Sequence, residues 1–130
     1  MHRLYRSGFY IWLALVVGIS IGGYTGILPT SLPSFEGADK IGHFFLIGGL
    51  AFFLDGALRQ RAIATPSFEI PFAPVAVLVV AGVEEYLQRL SPRRDSSFGD
   101  FAADVLGVIV LTLASRWLSR LATLRAGPAA

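Results

Sequence analysis

The chain contains no cysteine, which excludes disulfide bonds and thiolate chemistry. Charged residues are also scarce, at 15% of 130 residues, whereas soluble domains carry about 25%. Apolar residues make up 54% of the chain, and the mean hydropathy is +0.62. This balance predicts that lipid, rather than water, surrounds much of the protein.

Four long apolar runs predict an all-α membrane protein. A helix needs about 20 residues at about 1.5 Å each to cross about 30 Å of hydrocarbon. The predicted helices cover about residues 8–28, 40–58, 71–90 and 100–118, within one domain over 1–125 and ahead of a disordered tail at 126–130. The expected architecture is therefore a four-transmembrane-helix bundle. A cleaved signal peptide is an alternative for the first run, because basic residues precede it.

The loop charges predict that both termini are cytoplasmic. With four spans, the side of the termini holds seven cations and the other side holds four, namely Lys40, Arg89, Arg93 and Arg94. Cytoplasmic loops carry the excess of Lys and Arg, so residues 29–40 and 89–99 should face outward in the inner membrane. Because this rule accounts for the scattered arginines, the net charge of +2 does not indicate a nucleic-acid partner.

Three glycines of the first helix, Gly18, Gly22 and Gly26, recur at four-residue spacing. That spacing predicts a small-residue face for packing against a neighbouring helix, or against a second copy of the chain. The first helix otherwise lacks internal charge and is expected to serve as a packing partner.

Polar residues gather at three helix ends that the topology brings to the same side. Because the second helix enters from outside, the third exits to outside and the fourth enters again, all three clusters should meet in the outer part of the bundle. The clusters are Asp39, Lys40 and His43, then Glu84, Glu85 and Gln88, then Asp100, Asp104 and Gly107. Asp39 is also expected to cap the second helix.

Intramembrane charges are costly and must pair or face a wet cavity, so this set predicts a binding or catalytic site. His43 would act as a general acid or base, oriented by Asp39 or another carboxylate. Glu85, in a poorly solvated position, would suit proton transfer. The candidate catalytic residues are His43, Glu85 and Asp100, and the candidate substrate-binding residues are Asp39, Lys40, Gln88, Arg93, Arg94 and Asp104.

Two other interpretations of the same residues stay open. The charges could simply be satisfied ion pairs that fix helix register in a scaffold protein without enzymatic activity. Alternatively, a divalent metal could bind through carboxylate oxygens and one imidazole, although no ligand motif of diagnostic spacing supports it; the candidate ligands are His43, Glu85, Asp100 and Asp104. Asp55, near the other end of the second helix, is expected to pair with Arg59.

The ordered motifs resemble those of the VanZ-like family of small bacterial membrane proteins. They are Asp39-Lys40-x-x-His43-Phe44, Glu85-x-x-Gln88, Arg94 followed by Asp100, and Asp104-x-x-Gly107, and the resemblance covers about residues 38–112. The chain differs at Asp104, where the family often has Asn. This difference adds a carboxylate and argues against a role that needs an amide donor.

The resemblance implies a cell-envelope function, because the namesake of the family is associated with teicoplanin resistance. It implies no particular reaction. The expected ligand is an anionic lipid or glycan head group, bound or modified at the outer side of the membrane.

Overall fold

The computed structural model describes residues 1–28, 37–91 and 97–126. Four helices are present in these ranges: α1 (His2–Thr25), α2 (Ala38–Ala57), α3 (Phe72–Arg89) and α4 (Phe98–Ala126). Two short strands, β1 (Ala62–Ala64) and β2 (Glu69–Pro71), lie between α2 and α3. The described chain is therefore predominantly helical, as the sequence predicts.

The most extensive helix–helix interface joins α2 and α4, which run parallel. His43 contacts Asp104 near the start of the two helices, and Asp55 contacts Arg116 near their end. Both pairs join residues 61 positions apart in the sequence. This constant offset means that α2 and α4 keep the same register from the first contact to the second.

Gly48 and Gly107 allow this close approach. A Cβ atom on Gly48 would lie 2.6 Å from the carbonyl carbon of Gly107, and one on Gly107 would collide with the backbone of Phe44. Small residues let helix backbones approach where side chains would hold them apart. The Gly107 of the sequence motif thus has a packing role.

Helix α1 packs antiparallel on α2 by inserting large side chains beside α2 glycines. Trp12 covers Gly49 and Tyr5 covers Gly56, while Phe53 of α2 covers Gly8. Trp12 also donates a hydrogen bond from Nε1 to the Leu46 carbonyl, at 2.8 Å.

The glycine face predicted on α1 is shorter than expected. Gly26 has φ of 75° and ends the helix rather than continuing it. A Cβ atom on Gly22 would meet Leu28, which follows the same helix, and one on Gly18 would meet no described atom within 4 Å. In the described residues, the glycines that admit a neighbouring helix are therefore those of α2 and α4, with Gly8, and not this face.

Helix α2 ends in a tight left-handed turn at Arg59 and Gln60, which have φ of 55° and 59°. The Gln60 amide donates to the Asp55 carbonyl at 2.8 Å and the Arg59 amide donates to the Gly56 carbonyl at 3.2 Å. This pattern is a Schellman motif, in which glycine usually occupies the place of Arg59.

The hairpin β1–β2 follows, in the segment that separates the second and third helices predicted from the sequence. Ala62 pairs with Pro71 and Ala64 with Glu69. The Thr65 amide closes the turn by donating to the Phe68 carbonyl at 2.9 Å. Strands of three residues are too short to show the alternation that identifies a strand in a sequence.

Three of the helices, α1, α2 and α4, are long and apolar enough to cross a membrane. Large apolar side chains also point outward on α3, where Val79, Val80 and Val83 are more than half exposed. The buried core is small by contrast, and it centres on Leu50, Ala51, Val77 and Val108. This distribution is typical of a surface that contacts lipid.

Two sequence expectations about α4 and α2 are wrong. Helix α4 does not end near residue 118 but continues to Ala126, beyond the place where α2 stops. Asp55 does not pair with Arg59, because the guanidinium of Arg116 occupies both of its oxygens, at 3.0 and 3.1 Å. Of the disordered tail predicted at 126–130, Ala126 is the last residue of α4, and residues 127–130 lie outside the described residues.

Candidate functional site

The start of α2, the end of α3 and the start of α4 meet at one end of the bundle, here called the polar end. Their polar side chains include four that are almost completely buried, namely Glu85, Gln88, Asp100 and Asp104. The convergence predicted from topology is therefore present among the described residues.

His43 and Asp104 form the central contact of the polar end. The imidazole Nδ1 lies 3.0 Å from Asp104 Oδ1, and 24% of the His43 side chain is exposed, against 3% for Asp104. With a proton on Nδ1, the imidazole donates to Asp104, and Nε2 is then the basic nitrogen. The carboxylate that orients His43 is thus Asp104, and Asp39 does not take that role.

Asp100 connects the start of α4 to Lys40 of α2. Its Oδ2 accepts a hydrogen bond from the Ser97 amide at 2.9 Å, while its own amide donates to Ser97 Oγ at 3.3 Å. This reciprocal arrangement is a capping box, with Asp in the place of the usual Glu or Gln. Its Oδ1 is buried without a hydrogen bond in the described residues and lies 3.8 Å from Lys40 Nζ.

Lys40 lies at the rim of the polar end, because half of its side chain is exposed. Gly99 leaves room for the Lys40 stem, since a Cβ atom there would lie 2.8 Å from Lys40 Cε. The ammonium also donates to Asp39 at 3.4 Å. A half-exposed cation held beside a buried carboxylate can accept a second anion from solvent.

Glu85 is the residue of the polar end whose hydrogen-bonding capacity is least satisfied. Only 4% of the residue is exposed, and neither carboxylate oxygen has a hydrogen-bond partner in the described part of the chain. A buried acceptor without a donor costs about 1–3 kcal/mol, and more when it is charged.

Glu84, the neighbour of Glu85, is bound within the bundle. Gln88 donates to Glu84 Oε1 at 3.3 Å, as their spacing on one helix face predicts, and Ser20 of α1 donates to the same oxygen. Helix α1 therefore contributes a polar contact that its uncharged sequence did not predict. Gln88 is held by this network and is buried, as is Glu85 three residues earlier on α3.

The parallel arrangement of α2 and α4 contributes to the electrostatics of the polar end. Both helices begin there, so the positive ends of two helix dipoles lie at the same place. Asp39 and Asp100 occupy the first turns of these helices. The dipoles therefore favour the carboxylates of the first turns, where the described residues supply more acids than bases.

The prediction for Asp39 is wrong in one respect, and the predictions for Arg93 and Arg94 concern residues outside the described part of the chain. Asp39 does not cap α2, because Gly37, with φ of 91°, holds the cap position and makes no side-chain bond. Asp39 instead lies in the first turn, with 59% of its side chain exposed. Arg93 and Arg94, predicted to bind an anion, lie outside the described residues.

The metal hypothesis stays a prediction. In residues 1–28, 37–91 and 97–126, no three His, Asp or Glu side chains are grouped closely enough to hold a metal ion together. What this part of the site offers is a set of hydrogen-bond acceptors, one basic imidazole and one half-exposed ammonium.

No protein-family model, curated protein or solved structure matches the chain.

Proposed function

We propose that the chain is a VanZ-like membrane protein of the bacterial cell envelope. It crosses the inner membrane four times with both termini in the cytoplasm, and its polar end faces outward. There it binds or modifies an anionic lipid- or glycan-linked envelope component. The motifs of residues 38–112 and the outward-facing apolar side chains of all four helices support this proposal.

The observation that carries the proposal is a group of buried hydrogen-bond acceptors near His43 that have no donor in the described part of the chain. Both Glu85 oxygens and Asp100 Oδ1 are buried without hydrogen-bond donors in the described residues. A ligand rich in hydroxyl or amino groups, such as a sugar, supplies such donors. A phosphate on the same ligand would meet Lys40 at the rim, and Arg93 and Arg94 remain the predicted further cations.

The chemistry available to such a site is proton transfer. His43, oriented by Asp104, can accept a proton at Nε2 from a ligand hydroxyl. Ser97 is already engaged in the capping box, so no activated nucleophile is identified among the described residues. Binding, with or without acid–base chemistry at His43, is therefore what the site supports best.

Glu85→Gln tests this proposal. Purified protein and variants are incubated with phosphatidylglycerol, a neutral glycolipid and a polyprenyl-phosphate-linked sugar, and the retained lipid is measured by native mass spectrometry. Loss of hydrogen bonds to a charged acceptor, each about 1.5–3 kcal/mol, should reduce retention of the preferred lipid about tenfold or more. Glu69→Gln, in an exposed strand residue, is the matched control and should bind normally.

The alternative is a scaffold whose buried charges only fix helix register. The specific observation in its favour is that His43–Asp104 and Asp55–Arg116 both join α2 to α4 at the same sequence offset. The two functions differ in lipid retention by the Glu85→Gln variant, because Glu85 makes no hydrogen bond within the described residues and so does not fix helix register. A binding site predicts reduced lipid retention with no loss of stability, whereas a scaffold predicts unchanged lipid retention.

The teicoplanin association implied by the resemblance is tested separately. Expression of the chain in a susceptible bacterium should raise the concentration of teicoplanin that inhibits growth, and the His43→Gln variant, expressed at the same level, should not. Equal resistance with both proteins would exclude a role for His43.

A further inference from the structure

The opposite end of the bundle carries a second candidate site, a groove of about 500 Å³. Arg59, Gln60, Ser119 and Arg120 are among the residues that line it, and none of the described lining residues is acidic. We propose that this basic groove binds the phosphate head group of an anionic glycerophospholipid from the adjacent leaflet. The proposal is independent of the function of the polar end and requires only that the helices lie in a membrane.

The groove results from the unequal lengths of α2 and α4. With the offset of 61 residues, the last residue of α2, Ala57, is level with Leu118 of α4. Helix α4 continues for eight further residues, Ser119 to Ala126, while the chain after α2 turns away at Arg59. The start of α1 forms the remaining wall, where His2 Nε2 lies 3.0 Å from the Ala57 carbonyl.

The cations of the groove are available to a ligand. Arg59 and Arg120 are both exposed, and neither forms an ion pair with another described residue. The nearby Asp55 is paired with Arg116 instead. Two guanidinium groups offer several donors in the planar geometry that suits phosphate. Basic pockets between membrane helices are known to hold lipid phosphates.

The backbone at the edge of the groove is strained in a way that favours a ligand role. Arg59 and Gln60 both adopt left-handed conformations that glycine would adopt without cost. Such residues cluster at ligand clamps, where the structure holds the side chain in place. The floor is more apolar, with Tyr5, Gly56 and Ala122, and therefore suits the glycerol and first acyl carbons of a lipid better than a free phosphate ion.

The test measures lipid retention by full-length protein with phosphatidylglycerol, phosphatidylcholine and inorganic phosphate as probes. The variant Arg59→Gln with Arg120→Gln should retain phosphatidylglycerol about 30-fold less, since each cation near the surface contributes about 1 kcal/mol. The matched control, Arg3→Gln with Arg125→Gln, removes two exposed cations that do not line the groove and should bind normally.

Arg59→Gly separates a binding defect from a folding defect, because it removes one cation and also relieves the strained backbone. It should bind phosphatidylglycerol about fivefold more weakly while unfolding no more easily than the parent protein. Equal losses in the control variant, equal retention of phosphatidylcholine, or displacement of the lipid by millimolar inorganic phosphate would each overturn the proposal.

Discussion

At the scale of single residues, Asp55 shows how a buried charge is tolerated in this protein. The residue is completely buried, and both carboxylate oxygens accept hydrogen bonds from Arg116. A bidentate pair of this kind adds geometric specificity, but desolvation offsets much of its attraction. The cost of removing one partner should therefore exceed the cost of removing both.

Arg116→Met should lower the free energy of unfolding by about 3–5 kcal/mol, because it leaves the Asp55 charge buried without a partner. The double variant, with Asp55→Leu added, should recover most of that loss. Unfolding in mixed micelles, followed by circular dichroism, measures both. Arg120→Met, one turn further along α4 and exposed, should change stability by less than about 0.5 kcal/mol; a double variant no better than the single would contradict this account.

Arg59→Gly should stabilise the protein by about 0.5–1 kcal/mol. A left-handed conformation costs a non-glycine residue about 1–2 kcal/mol, and the added freedom of glycine in the unfolded chain offsets about half of this gain. The same unfolding assay applies. Leu58→Gly is the control, since Leu58 has φ of −86° and gains nothing from glycine; a similar effect at both positions would exclude strain at Arg59.

At the scale of elements, the crossing of α2 and α4 depends on the absence of side chains at Gly48 and Gly107. The added methyl group of Gly107→Ala would meet the Phe44 backbone, which cannot move as a flexible side chain would. The helices would have to separate over the length that also holds the His43–Asp104 contact.

Gly107→Ala should therefore destabilise the protein by about 1–3 kcal/mol, as overpacking usually does. Gly18→Ala is the matched control within another helix, because its Cβ would meet no atom of the described residues within 4 Å, and alanine is the better helix former. Thermal unfolding in detergent should thus move in opposite directions for the two variants. Equal tolerance of alanine at both sites would mean that α2 and α4 do not cross so closely.

Sequence patterns predicted the helices and the meeting of their polar ends, but not the partners within the cluster. Apolar run length identifies a helix, and the alternating direction of consecutive spans brings particular ends together. Whether His43 meets Asp39 or Asp104, and whether Asp55 meets Arg59 or Arg116, depends on how the helices rotate against each other. Local spacing favoured the neighbour on the same helix, and tertiary packing selected α4 in both cases.

The predicted end of α4 was wrong for a related reason. Arg116 and Arg120 resemble the flanking charges that mark the end of a membrane span, yet α4 continues through them to Ala126. A helix does not have to end where its apolar run ends. The groove beside Arg59 could not be foreseen, because it exists only where α4 extends past α2.

At the scale of the whole molecule, the number of membrane crossings depends on whether α3 spans the bilayer. Helix α3 carries Glu84, Glu85 and Arg89 within 18 residues, and it is not among the three helices that are apolar enough on their own. The proposed fourth span rests on Glu84 and Glu85 facing the bundle while the valines face lipid.

Single cysteines on either side of α3 test this arrangement, because the chain has no cysteine of its own. In intact cells, a membrane-impermeant maleimide should label Ser91→Cys but not Ser67→Cys. After permeabilisation it should label both. Labelling of both in intact cells would show that α3 does not cross, and the reverse pattern would invert the proposed orientation.

The two contacts that hold α2 to α4 also relate the protein to bilayer thickness. His43 and Asp55 are twelve positions apart, as are Asp104 and Arg116, which corresponds to about 18 Å along each helix. Since the hydrocarbon core is about 30 Å thick, thicker bilayers place both contacts deeper in hydrocarbon, and helix tilting or local thinning must offset the mismatch. The protein should therefore be more stable in bilayers of short-chain lipids than in those of long-chain lipids.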